Sequence, residues 1–166
     1  MSQSIRIGVI SDTHGLLRSE ALDALHGSDH IIHAGDIGGR EIPYQLATIA
    51  PITAIRGNVD KDAWASSLPE TEVVEVEGVL IYILHDLAKL DLKPEAAAFH
   101  VVISGHSHVA KQEIRNGVLY FNPGSAGPRR FNFPVTVGKL IVQNREVTAE
   151  VVEIARRGAG TLVRRS

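Results

Sequence analysis

Three short, β-branched apolar runs, Ile5–Ser11, His30–Ala34 and Ile52–Ile55, each end in a polar turn that contains glycine: Asp12-Thr-His-Gly15, Gly35-Asp36 and Gly57-Asn58. Runs that are apolar almost throughout, rather than at every second position, read as strands buried on both faces. Between them lie Ser19–His26, with Leu22 and Leu25 at a helical interval, and Glu41–Ala50, with Pro43 in its first turn, where proline is tolerated. Alternation of strand and helix implies parallel pairing in a covered sheet. In such sheets ligands bind beyond the carboxyl ends of the strands. The turns at 12–15, 35–39 and 57–60 are therefore expected to converge on one site.

The rest of the chain is strand-rich. Thr71–Glu77 alternates in polarity and meets Val79–Leu84 across a tight turn at Glu77-Gly78. His100–Ser104 reads as a further buried strand, ending at Gly105-His106. Gln112–Arg115 and Val118–Phe121 flank Asn116-Gly117, the strongest short hairpin signal, and Pro134–Val142 and Val147–Ile154 flank Asn144-Arg145. This half is expected to be largely antiparallel. Two packed sheets with helices outside accommodate both halves. The length of 166 residues fits one domain, taken as 1–155, followed by a basic, glycine-containing tail at 156–166 that is expected to be mobile.

Composition narrows the chemistry. There is no cysteine, which removes disulfides and thiolate metal sites and fits a reducing, cytoplasmic setting. The segment Met1–Arg6 does not read as a signal peptide, and no apolar run approaches the roughly 18 residues that span a bilayer. A net charge of −2 and an aromatic content of 5% make nucleic acid a poor partner, even with the arginine-rich tail. Nothing fixes the oligomeric state, and a homo-oligomer stays open. The eight histidines are the unusual count, because several stand beside Asp, Gly or another His.

Five groups place an oxygen or nitrogen ligand at the end of an expected strand: Asp12-Thr-His14, Gly35-Asp36, Gly57-Asn58, His85 and Gly105-His-Ser-His108. Each alone is ordinary; an Asp or Asn in a turn commonly bonds its own backbone. Together and in order they form a donor set of carboxylate, imidazole and amide suited to Mn²⁺, Fe²⁺, Zn²⁺ or Ni²⁺. Seven such residues exceed the needs of one tetrahedral zinc site and suit two ions sharing a carboxylate. In Asp12-x-His14 the two side chains are expected on one side of an extended chain. Gly35, Gly57 and Gly105 are expected to supply unusual backbone angles beside their ligands.

The order D-x-H, G-D, G-N, H, G-H-x-H, from Asp12 to His108, resembles the calcineurin-like metallophosphoesterase superfamily. Asn122-Pro-Gly-Ser125, Arg129-Arg130 and the short length resemble its small YfcE-like branch. The resemblance implies an α/β (α+β) fold, a four-layer α-β-β-α sandwich of two mixed sheets flanked by helices. It implies two divalent ions per chain, Mn²⁺ first, with Ni²⁺, Fe²⁺, Zn²⁺ or Mg²⁺ as alternatives. Asp12, His14 and His108 would bind one ion and Asn58, His85 and His106 the other, with Asp36 bridging. Hydrolysis of a small phosphate ester, most often a diester, would follow attack by a hydroxide held between the ions. Asn58 and His106 would serve catalysis, and Asn58 and Arg129 would contact substrate. Two departures stand out. Val59 occupies the place of a histidine thought to protonate the leaving group, and Asp86 replaces a common glycine. A second reading is a protein-binding scaffold of the same fold, as in the retromer subunit. His33 is a candidate support behind the ligands, Asp60 for the Asn58 loop, and Trp64 for a pocket wall, the core or an oligomer contact.

Overall fold

The protein is described by a computed structural model covering residues 3–155; the expected basic tail at 156–166 lies outside the described residues. The first sheet contains β1 (Ile5–Ile10), β2 (His30–His33), β3 (Ile52–Ala54), β9 (Val135–Gln143) and β10 (Glu146–Ala155), in the order β10-β9-β1-β2-β3. β1, β2 and β3 run parallel, as the strand–helix alternation requires, while β9 and β10 add antiparallel edges. The second sheet contains β4 (Thr71–Val76), β5 (Val79–Leu84), β6 (Val101–Ile103), β7 (Lys111–Arg115) and β8 (Val118–Asn122), in the order β4-β5-β6-β8-β7.

The largest core lies between the sheets. Ile7, Val9, Ile32 and Leu140 face Ile81, Ile83, Val101, Ile103 and Phe121, all with essentially no exposure. Burying one such side chain contributes roughly 1.5–3 kcal/mol. A second cluster joins the outer face of the first sheet to both α-helices, α1 (Ser19–Leu25) and α2 (Glu41–Ala47), through Ala21, Leu25, Ile42 and Leu46. A third covers the outer face of the second sheet, where Tyr82, Leu84 and Val102 meet Leu87, Leu90, Leu92 and Phe99. The four layers are thus present. The fourth is thin, built from the 3-10 turn Leu87–Lys89 and the segment that follows it.

All three hairpins form at the expected turns. Both central residues have positive φ in each: Glu77-Gly78, Asn116-Gly117 and Asn144-Arg145. That is the pattern of the turn whose twist matches paired strands. The expectation of a largely antiparallel second half needs correction. β5, β6 and β8 are parallel neighbours, and the last hairpin crosses to the first sheet to pair with β1. A tight turn dictates antiparallel pairing only inside its own hairpin. The connection between β5 and β6 is long enough to return the chain to the starting end.

Gly138 of β9, in the first sheet, lies against the ring of Phe121 in the second. A Cβ at position 138 would collide with that ring. Gly138→Ala should therefore destabilise the protein by about 1–3 kcal/mol through overpacking. Adding Phe121→Leu to it should recover part of the loss, measured by urea denaturation of the single and double variants.

Candidate metal centre

The loops that leave β1, β2, β3, β5 and β6 meet above the carboxyl edges of both sheets. Each brings a polar side chain, and for Asp12, Asp36 and His85 the rear atom is fixed by the protein. Asp12 Oδ2 accepts hydrogen bonds from Ser11 Oγ at 2.7 Å and the His106 amide at 3.0 Å. Asp36 Oδ1 accepts from the Val59 amide at 3.0 Å. His85 Nδ1 donates to the Ala34 carbonyl at 2.8 Å, which fixes its tautomer and leaves Nε2 facing forward.

The forward atoms converge without bonding one another. Asp12 Oδ1 lies 3.6 Å from His14 Nε2, 3.4 Å from His108 Nε2 and 3.8 Å from His85 Nε2. Asp36 Oδ2 lies 3.5 Å from His14 Nε2 and 3.2 Å from His85 Nε2. Asp12 Oδ1, His14 Nε2 and His85 Nε2 are buried without a hydrogen-bond partner, as is His108 Nδ1. Buried polar atoms are rarely left so, and several at one point, all of them metal ligands by type, are what a cation site presents. Two triads could each hold an ion: Asp12, His14 and His108, and Asp36, His85 and His106, with one donor atom from every member within 4.8 Å of the others in its triad. The residues present therefore fit divalent ions. Asn58 stands at the second triad, its Nδ2 directed to His106 Nδ1 at 3.3 Å.

The backbone that achieves this is unusual. Asp12, His14, Asp36, His106 and His108 all have positive φ, between 47° and 72°. The expected reason for Asp12-x-His14 is therefore corrected. The pair does not sit on an extended chain; two left-handed residues turn both side chains inward. Such conformations cost roughly 1–3 kcal/mol each and persist where the surroundings impose them. Gly35 has the expected positive φ, but Gly57 and Gly105 do not. Their glycine is needed for close approach. A Cβ at Gly57 would strike Asp36, and one at Gly105 would strike the side chains of Ser11 and Asp12.

Further residues hold the loops, and most carried no sequence signal. The buried Asp60 carboxylate accepts from the amides of Ile37, Gly38 and Gly57, at 3.0, 2.9 and 2.8 Å, tying the Asp36 loop to the Asn58 loop as expected. Asn122 Nδ2 donates to the Gly105 carbonyl and Ser107 Oγ, bracing the loop of His106. Ser125 Oγ donates to the Asp12 carbonyl. His33 does stand behind the site. Its Nδ1 accepts from the Gly35 amide, so Nε2 carries the proton toward Thr13 Oγ1, which itself donates to the Ile37 carbonyl. The asparagine–proline–glycine–serine run after β8 was the one available hint of this bracing.

Other expected residues fall away from the ligands. Two nitrogens of Arg129 donate to the carbonyls of Phe133 and Ala155, so its guanidinium clamps a loop to β10 rather than opening toward substrate. Arg130 is the arginine whose charge is felt at His14. Trp64 packs, half-buried, against the cluster that joins the helices to the first sheet and lines neither cavity beside the triads. His30 and His100 bond Thr53 and the Leu80 amide, and His26 is exposed at the end of α1. Asp86 Oδ1 accepts from the Ala88 amide, capping a turn, while Oδ2 lies 3.8 Å from His106 Nε2.

The site is electrostatically coupled. Burial works to raise the Asp12 carboxyl, but contacts from His108, His14 and Ser11 outweigh it and hold Asp12 well below the usual carboxylate range. Burial likewise opposes ionisation of Asp36, and His85 with the Val59 amide hold it down. The Asp12 carboxylate pushes the His14 imidazole up; His85 is lowered by burial but raised on balance by Asp36 and Asp12. Both imidazoles hold a proton more tightly than a free histidine, so protons compete with a cation for them and apparent affinity should rise with pH.

Comparison with known proteins shows the family of the chain. Residues 5–145 match the model of the calcineurin-like phosphoesterase superfamily domain. A probable metallophosphoesterase of Methanocaldococcus jannaschii is 35% identical over 132 residues, covering 72% of this chain and 67% of that protein. One from Methanothermobacter thermautotrophicus is 29% identical over 158 residues, covering 88% and 91%. The chain belongs to the calcineurin-like phosphoesterase superfamily and is a metallophosphoesterase. Its fold is shared with an archaeal phosphodiesterase (TM-score 0.75, 24% identity, covering 89% of this chain and 100% of that one). It is shared also with Vps29 of Entamoeba histolytica in complex with Zn²⁺ (TM-score 0.68, 22% identity, covering 90% and 99%).

Burial pushes the His33 imidazole down to about 4, so it is neutral in the folded protein. Between pH 6.5 and about 4 the unfolded chain takes up a proton that the folded chain refuses, so stability falls as pH falls through that window. Metal-free wild-type protein should lose on the order of 3 kcal/mol more than His33→Gln from neutral pH to about pH 4. Urea denaturation in chelator, across pH, would measure the difference. Parallel losses in the two proteins would show that His33 carries no such linkage.

Proposed function

We propose that the protein hydrolyses phosphodiesters with two divalent ions held by the two triads. Asp12, His14 and His108 hold one ion, Asn58, His85 and His106 the other, and Asp36 stands between them. The observation that carries this reading is the convergence of unpartnered buried donors at one point. The placement of Asp36 supports its sharing, because its Oδ2 lies 3.5 Å from a histidine of the first triad and 3.2 Å from one of the second. Bound there, two ions would supply an activated water and neutralise charge on the phosphoryl oxygens. Mn²⁺ heads the list of candidates on the family resemblance, and the oxygen and nitrogen donors suit it along with Fe²⁺, Zn²⁺ and Ni²⁺.

The chain's own residues would do the rest. Asn58 and His106 are the exposed members of the set and so are the ones to meet a substrate. Arg130 adds positive charge on the side of His14. The lack of cysteine supports a cytoplasmic setting, and no helix among the described residues is long and apolar enough to cross a membrane. A Vps29-like scaffold shares the fold, but a scaffold gains nothing from five ligands held at positive φ.

Metal-depleted protein should be inactive, recover with Mn²⁺, and lose at least about a hundredfold in kcat when Asp36→Asn removes the shared charge. Full activity in chelator would sink the reading. The preference for diesters rests on Val59, which is exposed at the mouth and cannot transfer a proton, and on the Asp86 carboxylate near His106. Positioned acids contribute about 10²–10⁴-fold when the leaving oxygen is strongly basic. Rates across aryl and alkyl diesters should consequently fall steeply with leaving-group pKa. A flat series would assign the proton to another group.

A further inference from the structure

Two cavities open beside the second triad, one on each side of a partition formed by Asp86, and His106 lines the second of them. The first, about 410 Å³, reaches Asn58 and His85 and is lined by Arg56, Glu70, Thr71 and Asp91. Asp86 forms its shared wall. Its charged groups include both signs, and Arg56 is already paired with Glu70 at 3.2 Å. Hydrogen-bond acceptors and donors therefore line it without a large excess of positive charge. The second, about 380 Å³, lies beyond His106 over the outer face of β6, β8 and β7. Its floor is the half-buried Tyr120 ring, with the Arg115 guanidinium 4.6 Å from the ring centroid. Glu113 holds Arg115 there through a 2.8 Å hydrogen bond. Leu87 and Val109 add apolar walls, and Lys111 stands at the rim.

Resting on the diesterase reading above, we infer that the two cavities are subsites for the two unlike arms of the diester. The first cavity takes a hydroxyl-bearing, sugar-sized arm, and the second takes a flat aromatic arm. A phosphate seated at the second triad lies on the partition, so its two ester oxygens lead to opposite sides. A monoester would fill one cavity and leave the other to water. The acidic and basic groups of the first cavity match hydroxyls, which both donate and accept. The Arg115 guanidinium, stacked over the Tyr120 ring, presents its own flat cationic face to a π-system.

The test compares methyl p-nitrophenyl phosphate with the p-nitrophenyl ester of thymidine monophosphate, using Mn²⁺-loaded protein. Both carry the aromatic arm, and only the second carries a sugar. Wild-type protein should prefer the thymidine ester in KM by about tenfold, the scale that a few pocket contacts supply. Thr71→Trp, at an exposed strand position on the first cavity, should collapse that preference toward one. Lys111→Trp, at an exposed position on the second, should raise KM for both esters by a similar factor. Equal KM values for the two esters in wild type, or a preference that survives Thr71→Trp, would overturn the first subsite. An unchanged KM in Lys111→Trp would overturn the second. If wild-type protein cleaves neither ester with any divalent metal, the diesterase reading itself fails and takes this inference with it.

Discussion

Two carboxylates buried at the carboxyl ends of β1 and β2 govern the molecule. Asp12 and Asp36 are removed from water, and ionised groups so placed are costly unless paired. Each therefore has one oxygen tied by protein donors and the other set among imidazoles. Everything near the site serves that arrangement. Glycines stand where a Cβ would push the carboxylates apart from their neighbours, and five ligand residues accept left-handed backbone. A sandwich with a continuous core between its sheets can sustain that strain, because the loops are short and anchored at both ends.

The anchors also link the two sheets. Asp60 and His33 join loops of the first sheet to one another, Asn122 braces a loop within the second, and the His85–Ala34 and Asp12–His106 contacts join the second sheet to the first. The triads draw on both: His85, His106 and His108 follow strands of the second sheet, Asp12, His14 and Asp36 strands of the first. Slippage between the sheets would thus separate the ligands, and the Gly138–Phe121 contact is part of what prevents it. Core packing and site chemistry are in this sense one constraint.

Much of this was legible in the sequence because it rests on local patterns. Period-two and continuous apolar runs marked the strands, and Asn116-Gly117 and its counterparts marked the hairpins. Ligand-type residues after each run gave the site, since a parallel sheet must present its loops at one edge. What stayed hidden depends on tertiary geometry. The left-handed conformations of Asp12 and His14 have no signature in residue type, so an extended pair was the natural but mistaken expectation. Gly57 and Gly105 looked like conformational glycines and are spacing glycines. Arg129 looked free to meet a phosphate, but it bonds the carbonyls of Phe133 in its own loop and of Ala155 at the end of β10, a pairing that no local pattern announces. The bracing roles of Thr13 and Ser125 have no signature in residue type, because hydroxyl residues are common in turns and reveal their role only through their partners.

The central claim is that these converging donors form two adjacent cation sites. Anomalous diffraction at the manganese edge, from crystals grown with Mn²⁺, tests it most directly. The account predicts two peaks, one at Asp12, His14 and His108 and one at Asp36, His85 and His106, about 3.5–4 Å apart as in other two-metal hydrolytic sites. A single peak, or manganese bound only elsewhere on the surface with both triads empty, would contradict it.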